Sequence, residues 1–138
     1  ASEGAALGLP PESVAKIENV RGAGLRSLEI FAAAGVRMAF GTDLLGESHR
    51  LQSDEFSLRA GVLGAAETLR SATIHAAHVL RMDGRLGVVA PGATADLLLV
   101  DGNPLQDIRV LTGQGEHLAL IVQNGQVVKD LTTPPTSA

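Results

Sequence analysis

The feature that most restricts what this chain can fold into is a change of hydrophobic period at Gly35. Before it, "PPESVAKIENVRGAGLRSLEIFAAAG" places Val14, Ile17, Val20, Leu28 and Phe31 at helical spacing, the pattern of one buried helix face. Pro10 and Pro11 suit a first turn, and Glu12 suits the positive end of the helix dipole. Gly35 suits the stop, while Gly22 and Gly24 predict a bend or break midway. After it, "VRMAF" at 36–40 is apolar nearly throughout, which predicts a short strand covered on both faces. A helix, a glycine turn and such a strand make the αβ unit from which parallel α/β folds are assembled.

Downstream, "SDEFSLRAGVLG" predicts a short helix and "AAETLRSATIHAAHVLRM" a longer one, closed by Asp83-Gly84. The character then changes. Two strands are predicted near 87–90 and 95–101 with a Pro91-Gly92 turn between them. "HLALIVQNGQVVKD" predicts a hairpin, its Asn124-Gly125 pair supplying the positive φ angles of a type I′ turn. Residues 131–138 predict a disordered tail. The expected division is therefore an α/β part at 1–83 and a β part at 84–130.

Composition excludes several classes. Aromatic residues are 2% of the 138, so any core is built from Ala, Leu, Val and Ile, each burying less area than an aromatic ring. A net charge of −4 without a basic cluster argues against nucleic acid as a partner. With no cysteine there is neither a disulfide nor a thiolate metal site, which fits a cytoplasmic setting. No uncharged apolar run approaches the ~20 residues of a membrane span, and no signal peptide is visible. A first residue of Ala and not Met is what a processed or truncated product would show.

The chemistry lies at the end of the apolar run. Parallel α/β folds present functional groups at the carboxyl ends of their strands, and there Gly41-Thr42 leads into Asp43. A carboxylate so placed serves as a metal ligand and as a general base on water; the alternative is an ordinary turn or capping aspartate. His75 and His78 are three apart on a helix, but three protein ligands are the norm for a catalytic zinc, so both read as structural. His117 reads as a surface or edge residue of the β part, and His49 as either a pocket or a solvated loop residue.

"FGTD" followed by "ATIHAAHVLRMDGRLGVVAPGATADLLLVDGNPL" resembles the carboxyl-terminal end of the amidohydrolase superfamily of metal-dependent hydrolases. "FGTDLLGESHRLQSDEF" is similar to the branch related to imidazolonepropionase, which contains dipeptidases and carboxypeptidases. The likeness runs from about residue 9 to 130; Gly87, Gly92, Ala95-Asp96 and "DGNPL" carry the superfamily, and "GTDLLGESHRLQ" the branch. It implies a (β/α)8 TIM-like barrel joined to a small β-sandwich built from both ends of the chain. Asp43 would stand at the end of barrel strand 8, against the more buried of one or two metal ions, usually zinc. There it would take a proton from the attacking hydroxide and pass it to the leaving amine. The loop after strand 8 would make His49 and Gln52 substrate contacts, with Arg50 a weaker candidate.

This sequence departs from that pattern. The His-x-His motif is absent, as are the two later metal histidines. Neither Lys16, in a helix, nor Lys129, at the hairpin, sits at a strand end where a bridging carboxylated lysine would be. The expectation is a piece of an amide hydrolase for dipeptides or N-acyl amino acids, inactive alone, with most metal ligands in the remainder of a parent chain. A lone barrel strand and an uncovered helix stripe would expose apolar surface and favour association, homo-oligomers included. Residues 84–130 would be the best ordered part. Two other readings stand beside it: a cyclic-amide hydrolase, and a non-catalytic assembly or binding module. The glycines of "GVLGAAE" and "GRLGVVAPG" lack the spacing and strand context of a nucleotide-binding loop.

Overall fold

Residues 10–132 are described by the computed structural model. The chain divides into two compact units, one ending at Val36 and one beginning at Arg37.

In the first unit, helix α1 spans Pro11–Ala33. Pro11, which has no N–H to leave unpaired, opens it, and Ser13 and Val14 donate to the Pro10 carbonyl at 2.9 and 3.1 Å. The helix continues through Gly22 and Gly24 without the expected break: a glycine weakens a helix by about 1 kcal/mol but does not interrupt its hydrogen-bond ladder. It stops where predicted. Gly35 takes φ +68°, its N–H reaches the Ala32 carbonyl, and the Val36 N–H reaches that of Phe31 at 2.9 Å. This is a Schellman closure, which needs a left-handed residue at that place. Ile17, Val20, Ile30 and Phe31 of the helix are exposed.

The expected strand at 36–40 is not formed: residues 36–45 carry no regular secondary structure. An apolar run becomes a strand only when a neighbour takes up its backbone groups, and among the described residues no strand lies beside this one. A 3-10 segment, Gly46–Asp54, follows. It leads into α2 (Glu55–Leu63), α3 (Ala65–Ala72) and α4 (Ile74–Val79). The single helix expected over 65–82 is thus two, parted at Thr73 (φ −122°, ψ −93°). Hydroxyls explain the break. Thr68 donates to the Gly64 carbonyl (2.9 Å), Ser71 to that of Thr68 (2.6 Å) and Thr73 to that of Leu69 (2.7 Å), and such back-bonding bends helices.

The strand expected at 87–90 is also absent. Gly87 has φ +70°, and a Cβ built on it would stand 2.6 Å from the carbonyl carbon and oxygen of Thr73. The chain here is pressed against the α3–α4 junction in a conformation no strand adopts. The second predicted strand is formed as β1 (Leu97–Val100); with β2 (Leu118–Gln123) and β3 (Gln126–Asp130) it makes an antiparallel sheet in the order β1-β2-β3. Leu98 faces Ile121 across the first ladder, and Ile121 faces Lys129 across the second. Asn124 (φ +49°) and Gly125 (φ +78°) form the expected hairpin turn. The Asn124 N–H donates to the Asp96 carboxylate (2.7 Å) and the Gly125 N–H to the Ala95 carbonyl (3.0 Å). The Ala95-Asp96 pair therefore works as a clasp on the hairpin tip. "DGNPL" forms the bend after β1, where the Asn103 side chain accepts from the Leu105 N–H at 3.0 Å.

Among the described residues, only Ala77 and Ile108 are buried hydrophobic positions, beside buried Arg59, Thr68 and Ser71. Leu45, Val89, Leu98, Val127 and Val128 are exposed. From residue 133 on, the expected tail lies outside the described residues. No helix among the described residues is long and apolar enough to cross a membrane.

Candidate functional site

The run that ends at Asp43 is held by side chains in place of a sheet ladder. The Phe40 N–H donates to the Ser71 carbonyl at 3.0 Å. Arg59, on α2 and 8% exposed, donates through Nη1 to the Ala39 carbonyl at 3.0 Å. Its Nε meets Glu55 Oε1 at 2.7 Å, one helical turn away. The same guanidinium lies 5.4 Å from the centre of the Phe40 ring, and Phe40 packs on Phe56 at 4.5 Å between ring centroids. Residues 39 and 40 are therefore fixed by four contacts from α2 and α3.

Beyond this anchor come Gly41 and Thr42, and then Asp43 at φ +51°. Left-handed backbone at a residue with a Cβ is uncommon, and aspartate is among the side chains that tolerate it. The Asp43 residue is exposed. His49 and Gln52 both lie on the 3-10 segment. Residues three apart eclipse in that helix type, so the two side chains leave it on one side. Gln52 joins Gly41, Thr42, Phe56, Gln114 and Lys129 in lining a cavity of about 530 Å³. Asp43 and His49 are not part of that lining. Lys129 Nζ donates to the carbonyl of Gly115, which also lines the cavity, at 2.8 Å.

His75 and His78, both on α4, have separate neighbours. The His75 Nδ1 atom is buried 3.5 Å from Glu67 Oε1. His78 Nδ1 meets Asp83 Oδ1 at 3.0 Å, and Arg37 Nη2 approaches its Nε2 at 3.3 Å. An acceptor at Nδ1 and a donor at Nε2 fit one neutral tautomer, with the proton on Nδ1. His117 is exposed and offers its carbonyl to the Asp101 N–H.

Among the described residues no three His, Asp or Glu side chains converge as a metal-binding group. Because a catalytic zinc takes three protein ligands, these residues alone do not fit such an ion. The carboxylate most shifted in its titration is elsewhere. Asp107 accepts from Arg109 Nε and Nη2 at 2.8 Å each and from the Arg109 N–H at 3.0 Å, and these bonds hold its pKa down at about 2.

Sequence reasoning passed over Arg59. Its one visible signal was a glutamate four residues before it, the spacing of a helix-surface ion pair. The second role, as donor to a carbonyl 20 residues earlier, has no local signature.

A family model described as "Amidohydrolase family" matches residues 3–128. A prolidase crystallised with N-methylphosphonate-L-proline is 55% identical, with a TM-score of 0.85, over 94% of this chain and 32% of its own. A crystallised amidohydrolase is 58% identical, with the same TM-score and the same coverage of both chains. Imidazolonepropionase of Rubrobacter xylanophilus is 41% identical over 63 residues, 46% of this chain and 15% of its own. The chain thus spans about a third of the crystallised relatives and far less of the curated one.

Proposed function

This chain belongs to the amidohydrolase family, and on that premise we propose that it is the carboxyl-terminal third of an enzyme that hydrolyses carbon–nitrogen bonds. The substrates assigned to it are dipeptides or N-acyl amino acids, with Xaa-Pro dipeptides foremost. One observation carries the proposal: identity of 55% and a TM-score of 0.85, over 94% of this chain, with a prolidase that binds a phosphonate derivative of L-proline. A phosphonate centre has the tetrahedral form that an amide carbon takes on attack by water, and ligands resembling that state bind the catalytic arrangement best.

In this reading residues 1–83 belong to a (β/α)8 barrel, with 36–40 as its eighth strand, and residues 84–130 to a β-sandwich. Neighbouring strands supplied by the rest of the protein would give 36–40 the ladder it lacks here. They would also cover the exposed apolar positions of α1 and of the sheet. Asp43 would then lie at the active face. Its carboxylate accepts a proton from the attacking water and returns it to the leaving nitrogen, a transfer that requires the donor within hydrogen-bond reach. His49 and Gln52, projecting from one side of the adjoining segment, contact the substrate.

The family is metal-dependent, and zinc is the ion assigned, one or two per site. Since the described residues do not hold one alone, most of the ligands belong to the remainder of the protein. On the same ground this chain by itself is assigned no activity.

A second reading, opening of a cyclic amide, is favoured by the 41% identity to imidazolonepropionase over 63 residues. Both are tested by expressing the full-length protein, measuring its metal content, and assaying Xaa-Pro dipeptides, N-acyl amino acids and a cyclic imidazolone side by side. Release of free proline, abolished by a chelator and restored by zinc, is expected. Turnover of the cyclic substrate alone would replace the first reading with the second, and no amide turnover in a folded, metal-loaded protein would end both.

A further inference from the structure

We propose that Arg59 is the positioning residue that sets where Asp43 stands, an inference that rests on the proton-transfer role assigned to Asp43 above. A buried guanidinium is costly, because the charge leaves water. Arg59 is 8% exposed, yet among the described residues only one carboxylate, that of Glu55, pairs with it; another of its N–H groups is directed at the main-chain carbonyl of Ala39. A side-chain amide would satisfy that carbonyl at lower desolvation cost. The guanidinium adds rigidity. Its planar fork is held by Glu55 on its own helix at 2.7 Å, while its face lies over Phe40 at 5.4 Å.

Through Arg59, helix α2 grips both the carbonyl of residue 39 and the ring of residue 40. From Phe40 to Asp43 only Gly41 and Thr42 intervene. A displacement of the anchor is therefore passed along the main chain to a carboxylate that must sit within hydrogen-bond reach of a reacting proton. Phe40 also shares a cavity wall with Thr42 and Gln52, so the same displacement moves Gln52's surroundings less directly than it moves Asp43.

The test uses the full-length enzyme and an Xaa-Pro dipeptide. Arg59→Met keeps the aliphatic stem and removes the fork; Arg59→Lys keeps the charge and one donor toward Ala39; Glu55→Gln leaves Arg59 in place with a weaker hold. A misplacement near 1 Å costs on the order of 100-fold in rate, so kcat of Arg59→Met, per folded enzyme, falls by about that factor while KM stays within about 3-fold. Arg59→Lys recovers at least about 10-fold of the loss, and Glu55→Gln falls between the two. The inference is overturned if Arg59→Met retains wild-type kcat, if the change is in KM alone, or if lowered activity follows the folded fraction in every variant. Should Arg59→Met not fold, the Lys and Glu55→Gln variants decide: wild-type kcat in both overturns it. Asp43→Asn, assayed in parallel, separates the two levels. Loss of turnover there with an active Arg59→Met defeats the Arg59 inference alone, whereas an active Asp43→Asn defeats the reading beneath it as well.

Discussion

Replacing Gly87 by alanine should damage this fold more than a glycine-to-alanine change elsewhere, and the structure says by how much. Two costs combine at this position. The first is conformational: Gly87 has φ +70°, and left-handed backbone costs a residue with a Cβ about 1–2 kcal/mol. The second is steric. The new methyl carbon would stand 2.6 Å from both the carbonyl carbon and the oxygen of Thr73, and 3.0 Å from the Ile74 nitrogen. These are main-chain atoms at the junction of α3 and α4, so no side chain can swing aside; overpacking of this kind costs about 1–3 kcal/mol. The sum is about 2–5 kcal/mol. Gly92 supplies the control. Its φ is +84°, but a Cβ there meets nothing within 4 Å, so Gly92→Ala should lose only the conformational part, about 1–2 kcal/mol. Thermal unfolding of the two variants against wild type measures the difference. For a domain of roughly 100 residues 1 kcal/mol corresponds to about 4–8 °C, so Gly87→Ala should melt well below Gly92→Ala. Equal midpoints would refute the steric argument and with it the packing of residues 85–90 on the α3–α4 junction.

Other expectations follow from named contacts. Because Arg109 holds the Asp107 carboxyl at about 2 against an ordinary 3.8, this pair favours the folded state above pH 3.8. That contribution is lost as pH falls through about 2. Carboxyl NMR should place the midpoint near 2, and Arg109→Ala should return it toward 3.8; an unmoved midpoint would deny the pair its role. In the hairpin, Gly125→Ala forces a Cβ into φ +78° at a cost of about 1–2 kcal/mol. Hydrogen exchange should then quicken across β2 and β3, and unchanged protection there would contradict the turn assignment.

The parts of this fold that could be read from sequence are those with local causes. Asn124-Gly125 dictates its turn whatever surrounds it, and Gly35 closes α1 through carbonyls only three to five residues back. Most of the parts that could not be read depend on partners distant in the chain. "VRMAF" has the composition of a buried strand, but composition reports burial and cannot supply a neighbouring ladder. "RSATIHAAH" has helical period, yet the Thr73 hydroxyl draws the Leu69 carbonyl out of line. "LGVVA" resembles a strand until Gly87 meets Thr73, contacting residues that lie 14 positions earlier. At the candidate site Asp43 was visible as an acid at the end of an apolar run. Arg59, by contrast, shows its importance only when its fork is seen on the Ala39 carbonyl.

The central claim is that the side chain at position 43 moves the proton in amide hydrolysis. Its most direct test is the pre-steady-state turnover of an Xaa-Pro dipeptide by the full-length enzyme carrying Asp43→Asn, with metal content and unfolding midpoint determined on the same sample. Asparagine has nearly the same shape but no basic oxygen to receive a proton. Since general acid–base groups contribute roughly 100- to 10,000-fold, the account predicts a loss of at least about 100-fold in a variant that remains folded. Turnover within a few-fold of wild type in a folded, metal-replete Asp43→Asn enzyme would contradict it.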